Sequence, residues 1–205
     1  MRYTDFFRQD TEDLAKALLG KLLLIKRGSD IMGGYIVETE AYLGVIDKAC
    51  HGFGGNKTPK VQALYAEAGT IYVYTIHTHK LLNIVAREKG NPQAVLIRAI
   101  EPAVGISLME KNRNTVGISL TNGPGKFTKA MGITSEHNMT KIQEGELYID
   151  FKNSKLPKKI KKSPRIGIPD KDIWTEKALR FFVVGNQYVS GMRKTDYDKF
   201  PWKED

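Results

Sequence analysis

Glu38 and Glu40 stand two residues apart in the run Tyr35-Ile36-Val37-Glu38-Thr39-Glu40-Ala41-Tyr42. In a strand, alternate side chains share a face and lie about 6.6 Å apart along it. Ile36, Glu38, Glu40 and Tyr42 would then point one way, and Val37, Thr39 and Ala41 the other. Two carboxylates beside an aromatic ring form a hydrolytic constellation, in which one can position water and stabilise positive charge at a reacting carbon. The same spacing also describes an exposed strand face with two solvated glutamates.

A second cluster is Tyr72-Val73-Tyr74-Thr75-Ile76-His77-Thr78-His79. Tyr72 and Tyr74 share a face by the two-residue period, either as core packing or as a stacking platform for a planar ligand such as a nucleobase. His77 and His79, with His51, could make a metal site, although a His-x-His pair alone is weak support for one. The third cluster is Asn122-Gly123-Pro124-Gly125-Lys126. It is not a nucleotide-binding P-loop, because Leu120 stands where the first glycine belongs and Phe127 where a Ser or Thr is required. A Gly-Pro-Gly turn opening a helix, with Lys126 and Lys129 nearby, suits one backbone phosphate or simply caps the helix.

Charge narrows the partners. The chain of 205 residues carries 32 basic and 23 acidic side chains, a formal net charge of +9. Lys155, Lys158, Lys159, Lys161 and Lys162 fall between Lys152 and Arg165 with no acidic residue among them. This 152–165 stretch is expected to be a basic loop, with Pro157 and Pro164 favouring irregular backbone. It is either a solvated loop or an arm that contacts phosphates. Cys50 is the only cysteine, which rules out an intramolecular disulfide and a four-cysteine zinc site. No apolar segment has the length of a membrane span and no signal-peptide core precedes the first charged residues, so an intracellular protein is expected.

The elements that must hold these residues follow from pattern. Thr11 reads as a helix cap, Leu14 and Leu18 as the helix's apolar face and Gly20 as its stop. Lys21 to Arg27 and Ile31 to Tyr42 read as a hairpin about Gly28-Ser29-Asp30. Residues 43–60 read as irregular and glycine-rich, then Thr58-Pro59 opens a short helix with Val61, Leu64, Tyr65 and Ala68 on its apolar side. Thr70 to His77 pairs with Leu81 to Ala86, Ala94 to Ile100 is another strand, and helices are expected from Pro102 and from about Gly125. Leu147 to Phe151 and Phe181 to Val184 are further strands. Strands in adjacent hairpin-like groups predict one α+β domain over 1–205, around a curved, mainly antiparallel sheet with a protruding β-hairpin and peripheral helices.

Along nearly its whole length the chain resembles the alkyladenine (3-methyladenine, methylpurine-type) DNA glycosylases. The resemblance rests, in order, on Leu18-Leu19-Gly20, Ile36 to Gly44, Asp47 to His51, Gly69 to Tyr74, Leu81-Leu82-Asn83, Ala94 to Pro102, Asn122 to Thr128 and Pro164 to Ile168. It implies that Glu40 is the general base and that Arg98 helps hold the water and the sugar–phosphate. It implies that Tyr42, His51 and Tyr74 line a pocket for a flipped base, and that Asn83 tests the purine edge against the amino group of normal guanine. His77 matches the tip of the family's hairpin, which enters the minor groove where many relatives carry tyrosine. The implied partner is duplex DNA containing damaged purines, and the implied state is a monomer. Neither a metal nor an organic cofactor is implied.

The residues fit that chemistry. A purine methylated at N3 or N7 is cationic and already a good leaving group, so a carboxylate and an aromatic pocket suffice. Hypoxanthine and ethenoadenine are further candidate substrates, for which the sequence names no acid to protonate the leaving base. No lysine stands where it would form a Schiff base with the sugar, so hydrolysis without a lyase step is expected. A nucleic-acid-binding module without catalysis and a metal-dependent hydrolase built on His51, His77 and His79 are the rival readings.

Overall fold

The computed structural model describes residues 3–204. Its centre is β2 (Asp30–Tyr42), which pairs along its first half with β1 (Leu22–Arg27) and on its other edge with β5 (Ala94–Val104). Beyond β5 lie β4 (His79–Val85) and β3 (Ile71–Ile76), and beyond β1 lies β6 (Leu147–Asp150). β8 (Arg180–Val183) takes the place of β1 along the second half of β2, opposite Glu38, Thr39 and Glu40, and carries β7 (Ile160–Ser163) on its outer edge. All these ladders are antiparallel. The expected α+β sheet architecture with its β3–β4 hairpin is therefore present.

β2 reads as an alternating strand but is buried on both faces from Ile36 to Ala41. Its pairing with β5 is broken by register shifts between Gly33 and Gly34 and on both sides of Glu38. Bulges of this kind add twist and re-aim side chains, and here two of them flank Glu38. Gly33 and Gly34 permit the upper bend, since a Cβ on the former would sit 2.0 Å from the Leu23 carbonyl oxygen and one on the latter 2.2 Å from that of Glu101.

Among the described residues five short α-helices lie around the sheet: α1 (Tyr3–Phe7), α2 (Thr11–Ala17), α3 (Ile106–Arg113), α4 (Pro124–Ala130) and α5 (Ile173–Glu176). Asp10, not Thr11, caps α2, accepting the backbone N–H groups of Glu12 and Asp13. Thr11 is instead buried and donates its hydroxyl to Gln93. Residues Pro59–Tyr65 form a 3-10 helix rather than an α-helix, and the Thr58 side chain makes no cap. No helix starts at Pro102. β5 continues to Val104, past the stretch paired with β4, so the proline's missing N–H lies where the strand has lost one neighbour. Gly105, at φ 64°, then turns the chain into α3.

The basic stretch is also more ordered than expected. Its second half is β7, and Pro157 bridges to Trp202. Lys155 pairs with Glu101 and lies over the rings of Tyr35 and Trp202. Arg165, at its end, is fully buried. No helix among the described residues is long and apolar enough to cross a membrane.

Candidate active site

A cavity of about 240 Å³ opens between β3, β4, β5 and two irregular segments, residues 43–58 and 164–169. The rings of Tyr42, Tyr72, Tyr74 and His51 line it. Beneath it lies a small apolar cluster of Val61, Ala63, Leu64, Tyr72, Val85 and Ala94, which is why the 3-10 helix must dock there. Ring-to-ring contacts set the wall: His51 lies 4.1 Å from Tyr74 between centroids, and Tyr72 lies 6.2 Å from Tyr74. His51 Nδ1 is 2.9 Å from the Tyr72 hydroxyl. Burial lowers the pKa of His51, which keeps the imidazole neutral near physiological pH.

Asn83, on β4, donates its amide to the carbonyls of Tyr72 and Leu81, at 3.1 and 3.3 Å. Those bonds fix the side chain's orientation as it lines the cavity. Cys50 also lines it, its thiol pushed up to about 11 by burial, so it stays protonated and unreactive.

Two ion-paired carboxylates sit behind this wall. Glu38 and Glu40 are both fully buried, which removes the solvated-face reading of the strand. Arg98, on β5, joins them: its Nε donates to Glu38 at 3.0 Å and its Nη1 lies 3.2 Å from Glu40. Burial works against the charge on Arg98, but Glu40 and Glu38 outweigh it and raise its pKa. Glu38 is saturated, because Arg180 Nε and the backbone N–H of Ser190 also donate to it, at 2.6 and 2.8 Å, and so does the Ser190 hydroxyl. Glu40 is held differently. Its Oε1 accepts the Ile166 N–H at 2.8 Å, and its Oε2 accepts only the Tyr42 hydroxyl, at 3.0 Å. An ionised carboxylate offers about four lone-pair sites, so Oε2 keeps room for a further donor. Burial raises the pKa of Glu40; Arg98, the Ile166 amide and Tyr42 pull it back, and Glu38 adds to the rise.

The structure thus brings Tyr42, His51, Tyr74, Asn83 and Arg98 into one cavity, with Glu40 directly behind Tyr42 and Arg98. His77 lies outside it, exposed at the tip of the β3–β4 hairpin, in the left-handed region at φ 52°. His79 packs against α4, where a Cβ on Gly125 would meet its ring carbon at 2.8 Å. That contact accounts for glycine at 125. The three histidines named as a rival metal set are therefore not assembled, and no group of three or more potential metal-binding side chains occurs among the described residues. Lys126 bonds to Asn122, and Lys129 stands beside the hairpin's turn with Thr78, His79 and Lys80.

Tyr72, which shares a face with Tyr74, lines the cavity with it and holds His51. One part of the site carries little signal in the sequence. Residues Ile166 to Pro169 form the cavity's other rim, and Ile166 also contacts Glu40. Their only signal was membership of the run Pro164 to Ile168, since backbone amides carry no sequence signature.

An aromatic cavity backed by a buried carboxylate and arginine, on a strongly basic chain, suits a flat ring carried by a polyanion. Residues 5–187 match the methylpurine-DNA glycosylase (MPG) family, and the chain belongs to that family; it is a DNA glycosylase, a hydrolase of DNA repair. Three Staphylococcus proteins, each with the provisional name 3-methyladenine DNA glycosylase, are similar over almost their full length. The S. saprophyticus protein is 51% identical over 97% of this chain and 99% of its own. The S. epidermidis protein is 53% identical over 96% of each chain, and one from S. aureus 50% identical over 97% and 100%.

Proposed function

We propose that the protein removes alkylated purines, 3-methyladenine and 7-methylguanine above all, by flipping them from duplex DNA into the Tyr42–His51–Tyr74 cavity. Water activated by Glu40 and held with Arg98 then attacks the anomeric carbon. The observation that carries this reading is the Glu40 carboxylate, buried behind an aromatic slot with one oxygen fixed by Ile166 and Arg98 and the other bonded only to Tyr42. A carboxylate kept dry among fixed donors acts strongly on developing positive charge, since nothing must reorganise during the reaction.

A cationic methylpurine leaves without an acid and stacks well on electron-rich phenol rings. Hypoxanthine and ethenoadenine are neutral and would be slower, because no cavity-lining group is held as a strong acid. Asn83 discriminates at the purine edge. No lysine lines the cavity among the described residues, and Lys48, within the run Asp47 to His51, pairs with Asp172 at the surface. This supports hydrolysis to an intact abasic site with no lyase step. His77 fills the gap left by the flipped nucleotide. Lys126 and Lys129, beside the hairpin, meet backbone phosphate. The protein works as a monomer inside the cell, on DNA.

The test is excision from a duplex holding a single 7-methylguanine, developed with alkali at ambient temperature so that only abasic sites break, for the native protein and Glu40→Gln. Equal strand breakage by both would remove Glu40 from the reaction. Breakage by the native protein without alkali would instead establish a lyase.

A further inference from the structure

Asp47 and Arg165 form an ion pair in which both side chains are fully buried, although 118 positions separate them. The pair is bidentate, with Arg165 Nη1 donating to Asp47 Oδ2 at 2.6 Å and Nη2 to Oδ1 at 2.9 Å. Each partner is tied in further. Asp47 accepts the backbone N–H groups of Leu43 and Ala49, both at 3.0 Å, which shapes the turn that carries Cys50 and His51 into the cavity. Arg165 donates to the carbonyls of Ala41 and Trp174, at 3.0 and 3.3 Å. Its guanidinium also lies over the Tyr42 ring, 4.6 Å from the centroid. The next residue is Ile166, whose N–H donates to Glu40 and whose successors form the cavity rim.

Stability alone is a poor reason to keep such a pair, because apolar side chains of similar volume commonly serve as well or better. Arg165 Nε is moreover buried without a hydrogen-bond partner. The geometry supplies another reason. We infer that Asp47 and Arg165 are positioning residues for hydrolysis, a clasp that holds the Ile166 amide on Glu40 and the Tyr42 ring against the cavity. The inference rests on the reading of Glu40 as the base. Around Glu40 stand Glu38 and Tyr42 from β2, Arg98 from β5, Arg180 from β8 (turned to Glu38), and Arg165 with the Ile166 amide from the 164–169 segment. Of these, the amide and the Tyr42 ring owe their place to the clasp, of which Arg165 is itself a part.

The experiment measures single-turnover excision of 7-methylguanine against pH. This base is already cationic, so protonation of the leaving group does not enter the profile. Loosening the clasp withdraws a donor from ionised Glu40, and the acid limb must move to higher pH. Arg165→Lys keeps the charge but loses the bidentate fork, and Asp47→Asn keeps the shape but loses the charge. Both are expected to shift the limb upward by roughly one pH unit, with the plateau at higher pH largely recovered. Asp47→Asn, the nearly isosteric change, keeps the test open if Arg165→Lys fails to fold. An acid limb that stays at the native position in either folded variant overturns the clasp, since mere loosening of the fold lowers the rate at every pH. Glu40→Gln is run alongside. If it abolishes excision while the limb stays put, the clasp alone fails; if it excises normally, the reading of Glu40 fails and takes the clasp with it.

Discussion

The Tyr42 hydroxyl donates to Glu40 Oε2 at 3.0 Å, between residues two positions apart on one face of β2. The aromatic wall and the buried carboxylate are therefore one unit. Burial and the charge of Glu40 raise the pKa of Tyr42 well above the usual phenol value, so the hydroxyl stays protonated and keeps donating.

Glu40→Gln is expected to cut excision by about 10²–10⁴, the usual share of general-base catalysis, while the folded state survives. Glu38→Gln should act through stability instead. It strips the charge that Arg98 and Arg180 share, a change on the order of 3–5 kcal/mol for a buried pair, or roughly 10 °C in melting temperature. Thermal melts beside single-turnover rates separate the two. A Glu38 variant that melts like the native protein yet is inactive would reverse the assignment.

The pH dependence has a definite sign. If Glu40 is the base it must be ionised to act, and burial raises its pKa, so the acid limb of excision should lie at higher pH than an ordinary glutamate would give. For stability, the folded protein holds this proton more tightly than the unfolded chain does. The contribution of Glu40 is therefore present in full below its unfolded pKa and is lost as pH rises through the folded one. Native protein should accordingly gain stability relative to Glu40→Gln as pH is lowered through that window. Chemical denaturation at pH 7 and pH 5 checks this, and a loss relative to the variant would contradict it.

His77→Ala should reduce the equilibrium fraction of flipped base and weaken lesion binding, most of all for well-paired substrates. His77→Tyr should be tolerated, or should retain the lesion slightly better, because phenol fills more of the vacated stack. The left-handed φ at this position is uncommon for any non-glycine residue, and histidine is among those that adopt it more readily. Titrating an ethenoadenine duplex and following its fluorescence reads the flipped fraction directly. Equal flipping by the alanine and native proteins would return His77 to an ordinary exposed turn.

Neutralising Lys158, Lys159, Lys161 and Lys162 together should make the salt dependence of binding to undamaged duplex shallower, by roughly one unit per lost phosphate contact. β7 limits the size of the change. Lys161 and Lys162 are neighbours on a strand and point to opposite faces, so one DNA backbone cannot meet all four. A slope reduced by fewer than four units is expected, and an unchanged slope would place the binding face elsewhere.

Local pattern alone determined much of this molecule. The β1–β2 and β3–β4 hairpins were legible from β-branched runs flanking short polar turns, because their contacts are close in sequence. The run from Ile36 to Tyr42 fixed which residues share a face, and the order of motifs fixed the family. What the sequence left undecided was the environment of each side chain. Whether Glu38 and Glu40 are solvated or dry depends on β8, Ser190 and Arg98, which come from distant parts of the chain. The basic stretch became a strand only because β8 offered it an edge. Arg165 looked like the end of a cationic run until Asp47 took it into the interior. Burial and pairing are properties of the folded neighbourhood, and at this site they leave Glu38 saturated with donors and Glu40 with room for one more.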